Sequence, residues 1–195
     1  SEEDIQQGNE QTYTYTVKEV KGELAGVTYV ENPITVQVTV TDNGDGTLTV
    51  TADKEAKEIA FTNTYAADGE IVLSGTKTLT GRALKAGEFE FELIDEDGNV
   101  IETVENGADS SIVFSAIEYT AAGEYSYTIR EVKGELKGVT YDENEISVTV
   151  TVTDDGKGNL TATADKTADE ITFTNTYAAD GEIVLSGMKT LVGRE

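Results

Sequence analysis

The chain has 195 residues, of which 38 are acidic and 14 basic, for a formal charge of −24; it contains no Cys, no His, no Trp and a single Pro. That balance argues against nucleic acid or an anionic membrane as partner, since both reward clustered Lys and Arg. Without Cys there is neither a disulfide framework nor a thiol nucleophile, and without His the commonest general base and metal ligand are missing. With 37 % hydrophobic residues and many Thr, Val, Ile and Tyr in alternation, the sequence reads as folded β structure rather than an acidic disordered tail.

From the N-terminus, YTYTVKEVKGELAGVTY beginning at Tyr13 is followed by AFTNTYAADGEIVLSGTKTL beginning at Ala60. The first returns at Tyr125 as YSYTIREVKGELKGVTY, and the second returns with Asn63 replaced in register by Asn175. The offset is 112 in both cases (125 − 13 and 175 − 63), and the match runs without a gap from 13–83 to 125–195. A period of domain size marks a tandem array. The expected organisation is the C-terminal half of a repeat over 1–66, a complete repeat over 69–178 and the first strand of a further repeat over 181–195. The connection Ala178, Ala179, Asp180 has no flexible spacer and favours a semi-rigid rod. No segment approaches the roughly 18 apolar residues of a membrane span, and no signal peptide or sorting signal is visible. The chain therefore reads as an internal piece of a longer protein.

Within the complete repeat, turn signals separate short alternating runs, which predicts strands near 70–79, 88–94, 99–105, 111–115, 124–132, 145–153, 159–164 and 169–176. The fold class expected is all-β, as tandem immunoglobulin-like sandwich repeats. Side chains two apart on a strand share a face. Ile71, Leu73, Gly75, Lys77 and Leu79 form one such set; Tyr125, Tyr127, Ile129 and Glu131 form another; Ile171, Phe173, Asn175 and Tyr177 form a third. Phe89, Phe91 and Leu93, and Ile146, Val148, Val150 and Val152, are further inward rows. Lys77, Glu131 and Asn175 thus fall on apolar faces of three separate strands. A sandwich core rejects such residues unless they pair or react with one another.

The segments GTKTLTGR, YTIREVKG and ITFTNTY, in that order, resemble the streptococcal-type pilin isopeptide-linkage domain of Gram-positive major pilins and repeat-bearing surface adhesins. The resemblance covers the complete repeat and, over 13–65, a half repeat. It implies a CnaB-like fold in which a first-strand Lys bonds covalently to a last-strand Asn, assisted by a buried Glu. Carried onto this chain, Lys77 and Asn175 form the isopeptide bond and Glu131 assists. Desolvation favours the neutral, nucleophilic Lys amine. A protonated Glu131 is expected to donate a hydrogen bond to the Asn175 carboxamide oxygen and then shuttle protons. Folding holds amine and amide together, so the exchange releases one ammonia, once per molecule. An unreacted buried hydrogen-bond network is the competing account of the same three residues.

Glu19 and Asn63 occupy the positions of Glu131 and Asn175 in the half repeat, and Lys189 that of Lys77 in the last segment, as incomplete sites. The runs Asp42–Gly46, Asp154–Gly158 and Asp95–Asn99 read as hairpin turns rather than calcium loops, since no EF-hand ligand pattern is met. No metal and no cofactor is expected, and no turnover enzyme, only the single intramolecular crosslinking event. The function expected is a structural stalk or spacer repeat of a bacterial adhesin or pilus-like fibre, extracellular and attached to the cell wall. Its partners are neighbouring repeats of the same longer chain, with any host-surface ligand met by a distal domain. The alternative is a domain that recognises a host protein or glycan through its loops; the loops GELAGVTY and GELKGVTY differ little and favour the spacer.

Overall fold

The structure is a computed structural model that describes residues 10–193. The expected bounds 1–66 and 181–195 therefore include residues 1–9 and 194–195, which lie outside the described residues. The first strands are β1 (Glu10–Val17), β2 (Val27–Thr28), β3 (Ile34–Asp42), β4 (Leu48–Ala52) and β5 (Thr64–Tyr65). They are followed by β6 (Gly69–Ile71), β7 (Ser74–Thr80), β8 (Glu90–Ile94), β9 (Val100–Glu105), β10 (Ser111–Val113) and β11 (Ile117–Tyr119). The remainder are β12 (Gly123–Glu131), β13 (Val139–Thr140), β14 (Glu145–Asp154), β15 (Leu160–Ala164) and β16 (Thr172–Tyr177). A single 3₁₀ turn, Ala56–Glu58, is the one helical element among the described residues. The fold is all-β, as alternation predicts.

Two compact units are present. One holds the residues up to Gly69 with Tyr119–Ala121 and Asp154–Thr161; the other holds Glu70–Glu118, Ala122–Thr153 and the residues from Ala162 on. In the first, β1 and β4 flank β3 in an antiparallel sheet, and β2 pairs with β5. Tyr13, Tyr15, Leu48 and Val50 are exposed on that sheet.

The second unit is built on two sheets, a four-stranded one in the order β10-β7-β16-β13 and a five-stranded one in the order β15-β14-β12-β8-β9. Their inner faces supply Ile112 and Phe173 from one side, joined by Leu73 and Ile171 just before β7 and β16, and Phe91, Leu93, Tyr127, Ile129, Val148, Val150 and Val152 from the other, all buried. All of these except Ile112 fall in the rows that period-two alternation selects. At roughly 25 cal/mol per Å² of apolar area, burial of this core is the dominant stabilising contribution. Strand limits agree with expectation to within a few residues, except that the run near 70–79 is interrupted at Val72 and Leu73, dividing β6 from β7.

One pairing positions the site. β7 and β16, the unit's first long strand and its last, lie side by side in parallel, with Lys77 opposite Phe173 and Leu79 opposite Asn175. Gly75 makes this approach feasible: a Cβ there would sit 2.6 Å from the Ile171 carbonyl oxygen, which accepts the Thr76 N–H at 2.8 Å. Gly81, at φ 89, ends β7 where any side chain would overlap the Tyr177 carbonyl. Arg82 then pairs with Glu88 through both terminal nitrogens and lies 5.0 Å from the Tyr177 ring centroid. The glycines and arginine of GTKTLTGR thus fasten the first strand to the last. The strand expected over 181–195 is not formed in its described part: residues 178–193 carry no assigned strand, and Ile183, Val184, Leu185 and Met188 are exposed, with no neighbouring strand to pair with among the described residues.

Candidate crosslinking site

Lys77 and Asn175 project inward from the adjacent strands β7 and β16, and Glu131 projects toward them from the end of β12 in the facing sheet, where it pairs with Phe91. Lys77 and Asn175 are 0 % exposed and Glu131 is 7 % exposed. Lys77 Nζ donates to Glu131 Oε2 at 2.8 Å, and Asn175 Nδ2 donates to Glu131 Oε1 at 2.6 Å. One carboxylate therefore bridges the amine and the amide. Phe89 and Phe91 form the apolar wall, with Lys77 Nζ 4.7 and 5.7 Å from their ring centroids, and Phe173 packs on Phe91 at 5.4 Å.

Burial pushes the Lys77 ammonium below its usual pKa, opposed by the hydrogen bond and charge of Glu131 and by the charge of Asp142. Desolvation is the larger effect, so the site favours a neutral amine more than water does.

The amide is oriented differently from the sequence-based expectation. Asn175 Oδ1 accepts the backbone N–H of Asp142 at 2.7 Å, and Glu131 meets the amide nitrogen rather than the oxygen. The reason is complementarity: a backbone N–H can only donate, so the carboxamide must present its oxygen there and its NH₂ to the carboxylate. Asp142 lies in the turn between β13 and β14, outside every alternating run. Its carboxylate accepts the Thr174 N–H at 2.7 Å with one oxygen and the Asn144 N–H at 3.0 Å with the other.

The half repeat holds a matching arrangement in which, among the described residues, no lysine meets the carboxylate. Asn63 Nδ2 donates to Glu19 Oε1 at 2.6 Å, and the Val30 N–H donates to Asn63 Oδ1 at 3.0 Å. Glu19 Oε2, the counterpart of the oxygen that meets Lys77, is buried and has no hydrogen-bond partner among the described residues. Lys189 lies in the exposed segment after β16. The structure thus brings Lys77, Glu131 and Asn175 together, and Glu19 with Asn63.

Sequence reasoning missed Asp142 and also Asn106, a buried side chain whose Oδ1 accepts the Glu88 and Phe89 N–H groups and whose Nδ2 donates to the Lys85 and Gly107 carbonyls. Asn106 braces the turn before β8 and touches none of the three site residues in these hydrogen bonds. The acidic turns use their carboxylates on their own N–H groups: Asp154 accepts from Gly156 N–H and also from the Tyr65 hydroxyl at 2.7 Å, and Asp155 accepts from Lys157 and Asn159 N–H. Asp95 does the same for Asp97 and Asn99.

None of the curated proteins compared with the chain matches it. A family model described as "FctA: Spy0128-like isopeptide containing domain" matches residues 3–66 and 73–178. The two matched segments take in most of the chain and all of Lys77, Glu131 and Asn175; the chain belongs to this family of pilin-type structural domains.

Proposed function

We propose that the complete repeat is a stalk or spacer unit of a Gram-positive cell-surface adhesin or pilus-like fibre, closed by an autocatalytic Lys77–Asn175 isopeptide bond. The observation that carries this reading is the buried Glu131 carboxylate bridging Lys77 Nζ and Asn175 Nδ2 between the first and last strands. The organisation behind it is a half repeat over 1–66, a complete repeat over 69–178 and, over 181–195, the segment that corresponds in sequence to the opening strand of a further one, in a wall-attached chain that presents its ligand-binding domain elsewhere.

The reaction follows from the contacts. Glu131 takes a proton from the Lys77 ammonium along the 2.8 Å hydrogen bond, and the neutral Nζ attacks Asn175 Cγ. The carbonyl electron pair moves onto Oδ1, where the Asp142 N–H points. Glu131 gives its proton to Nδ2, accepts the second proton from Nζ, and the Cγ–Nδ2 bond breaks as the carbonyl reforms. Ammonia takes that second proton and leaves as ammonium, which returns Glu131 to the carboxylate. No external reactant is needed, and the positioning supplies the effective concentration that an amine and an amide lack in water.

Covalent closure suits a stalk because tension enters a repeat at its first strand and leaves at its last. Single-molecule extension of the full chain tests this. The bond bypasses 175 − 77 = 98 residues, so about 340 Å of contour length stays locked at ~3.5 Å per residue. Asn175→Ala is expected to release that length at ordinary unfolding forces. Release of the same length by the unaltered chain would overturn the stalk reading.

A further inference from the structure

We infer that Asp142 is a positioning residue of the crosslinking site: its backbone N–H stabilises the oxyanion that forms at Asn175 Oδ1, and its side chain holds that N–H in place. The inference rests on the crosslinking reading above and assigns to the 142–144 turn a role that alternation never marked.

Three contacts support it. The Asp142 N–H reaches Asn175 Oδ1 at 2.7 Å, and this oxygen is where negative charge develops when an amine adds to the amide carbon. A donor already aimed at that atom, in a pocket walled by Phe89 and Phe91, needs no reorganisation during the reaction. The same N–H fixes the amide's sense. A flipped amide would set its NH₂ against the Asp142 N–H and its oxygen against the Glu131 carboxylate, two repulsions in place of two hydrogen bonds. The leaving nitrogen is thereby kept beside the proton shuttle.

The side chain then anchors the turn. One Asp142 oxygen accepts the Thr174 N–H, one residue before Asn175 on β16, and the other accepts the Asn144 N–H of its own turn. Donor and electrophile are thus tied to each other. The half repeat supplies the comparison, with Val30 at the matching position and its N–H 3.0 Å from Asn63 Oδ1. The backbone donor persists there, while a valine has no carboxylate to clamp the Thr62 N–H.

Asp142 also places a negative charge near Lys77 that favours the ammonium. Charge and positioning separate in a pH profile. Removing the charge moves the pH midpoint of the reaction, whereas losing the oxyanion donor lowers the plateau reached once Nζ is neutral.

The experiment joins segments 1–120 and 121–195 in denaturant, so that the full chain has never folded, and starts the clock by dilution into buffer. Intact mass follows ammonia loss and far-ultraviolet circular dichroism follows folding, across a range of pH. Replacing the 142 amide by a backbone ester removes the N–H alone and is expected to lower the plateau rate by about 10²–10³-fold. Asp142→Val, which reproduces the half-repeat arrangement, is expected to lower it by about tenfold through looser placement, with Asp142→Asn restoring most of the rate. A plateau within threefold of the unaltered chain for either the folded ester or the folded valine variant would overturn the inference. If the unaltered folded chain loses no ammonia, the crosslinking reading itself fails, an outcome distinct from both.

Discussion

Replacing Asn175 by Ala removes the electrophile while leaving the Lys77–Glu131 pair intact, which makes it the cleanest way to measure what closure contributes. The proposed bond joins positions 98 apart (175 − 77), and by the loop-entropy relation used for disulfides a closed loop of that size stabilises by about 4.7 kcal/mol at 25 °C. The substitution also leaves the Asp142 N–H, half-buried in its turn, without the Asn175 oxygen, at a cost of about 1–3 kcal/mol. The unit spans about 110 residues, with an unfolding entropy of about 0.23 kcal/mol/K, so the combined loss corresponds to a Tm lower by roughly 25–33 °C. Calorimetry of the unaltered and Asn175→Ala chains reads this directly, with urea titrations as a second measure. The urea slope is expected to rise in the variant, because an uncrosslinked unfolded chain exposes more surface. A Tm difference below about 5 °C, in samples whose masses show the bond present in one and absent in the other, would refute the entropic account.

Glu131→Gln is expected to abolish ammonia loss and to cost about 3–5 kcal/mol beyond loss of the bond at neutral pH, since it leaves Lys77 buried without its counter-charge; intact mass and urea unfolding check both. Lys77 has a folded pKa below its unfolded value, so the folded state binds fewer protons between the two. Stability is therefore lost as pH falls through the folded pKa and regained as pH rises toward the unfolded value. Urea unfolding of Asn175→Ala against Lys77→Met/Asn175→Ala should show a penalty that shrinks as pH rises toward about 10.4; a penalty independent of pH would contradict desolvation of Lys77. Gly75→Val is expected to push β7 away from the Ile171 carbonyl, lowering Tm and slowing or preventing ammonia loss, with calorimetry and intact mass as the measurements.

Much of this site was legible because strands write their burial in period two. Lys77, Glu131 and Asn175 interrupt apolar rows, and a polar residue in such a row is visible without knowing which strands touch. What alternation leaves out is pairing. The parallel contact of β7 with β16 joins residues about a hundred positions apart, and nothing in either strand's own pattern names the other as neighbour. Asp142 was illegible for a related reason: its role comes from a backbone N–H in a turn, and backbone groups leave no trace in residue type. The one signal was the exchange of Asp142 for Val30 within an otherwise similar loop, meaningful only once the Thr174 and Asn175 contacts are seen. Asn106 is hidden in the same way, its four hydrogen bonds all going to backbone groups of turns. The short β11 and β13, three and two residues long, carry too little sequence for any period to register.

The central claim is that folding alone joins Lys77 to Asn175. Intact mass of the purified chain beside a Lys77→Ala variant tests it most directly. The account predicts a mass one ammonia below the sequence value for the unaltered chain and the full sequence value for the variant. The full sequence mass in a folded, unaltered chain would contradict it and leave Lys77, Glu131 and Asn175 as a hydrogen-bonded network.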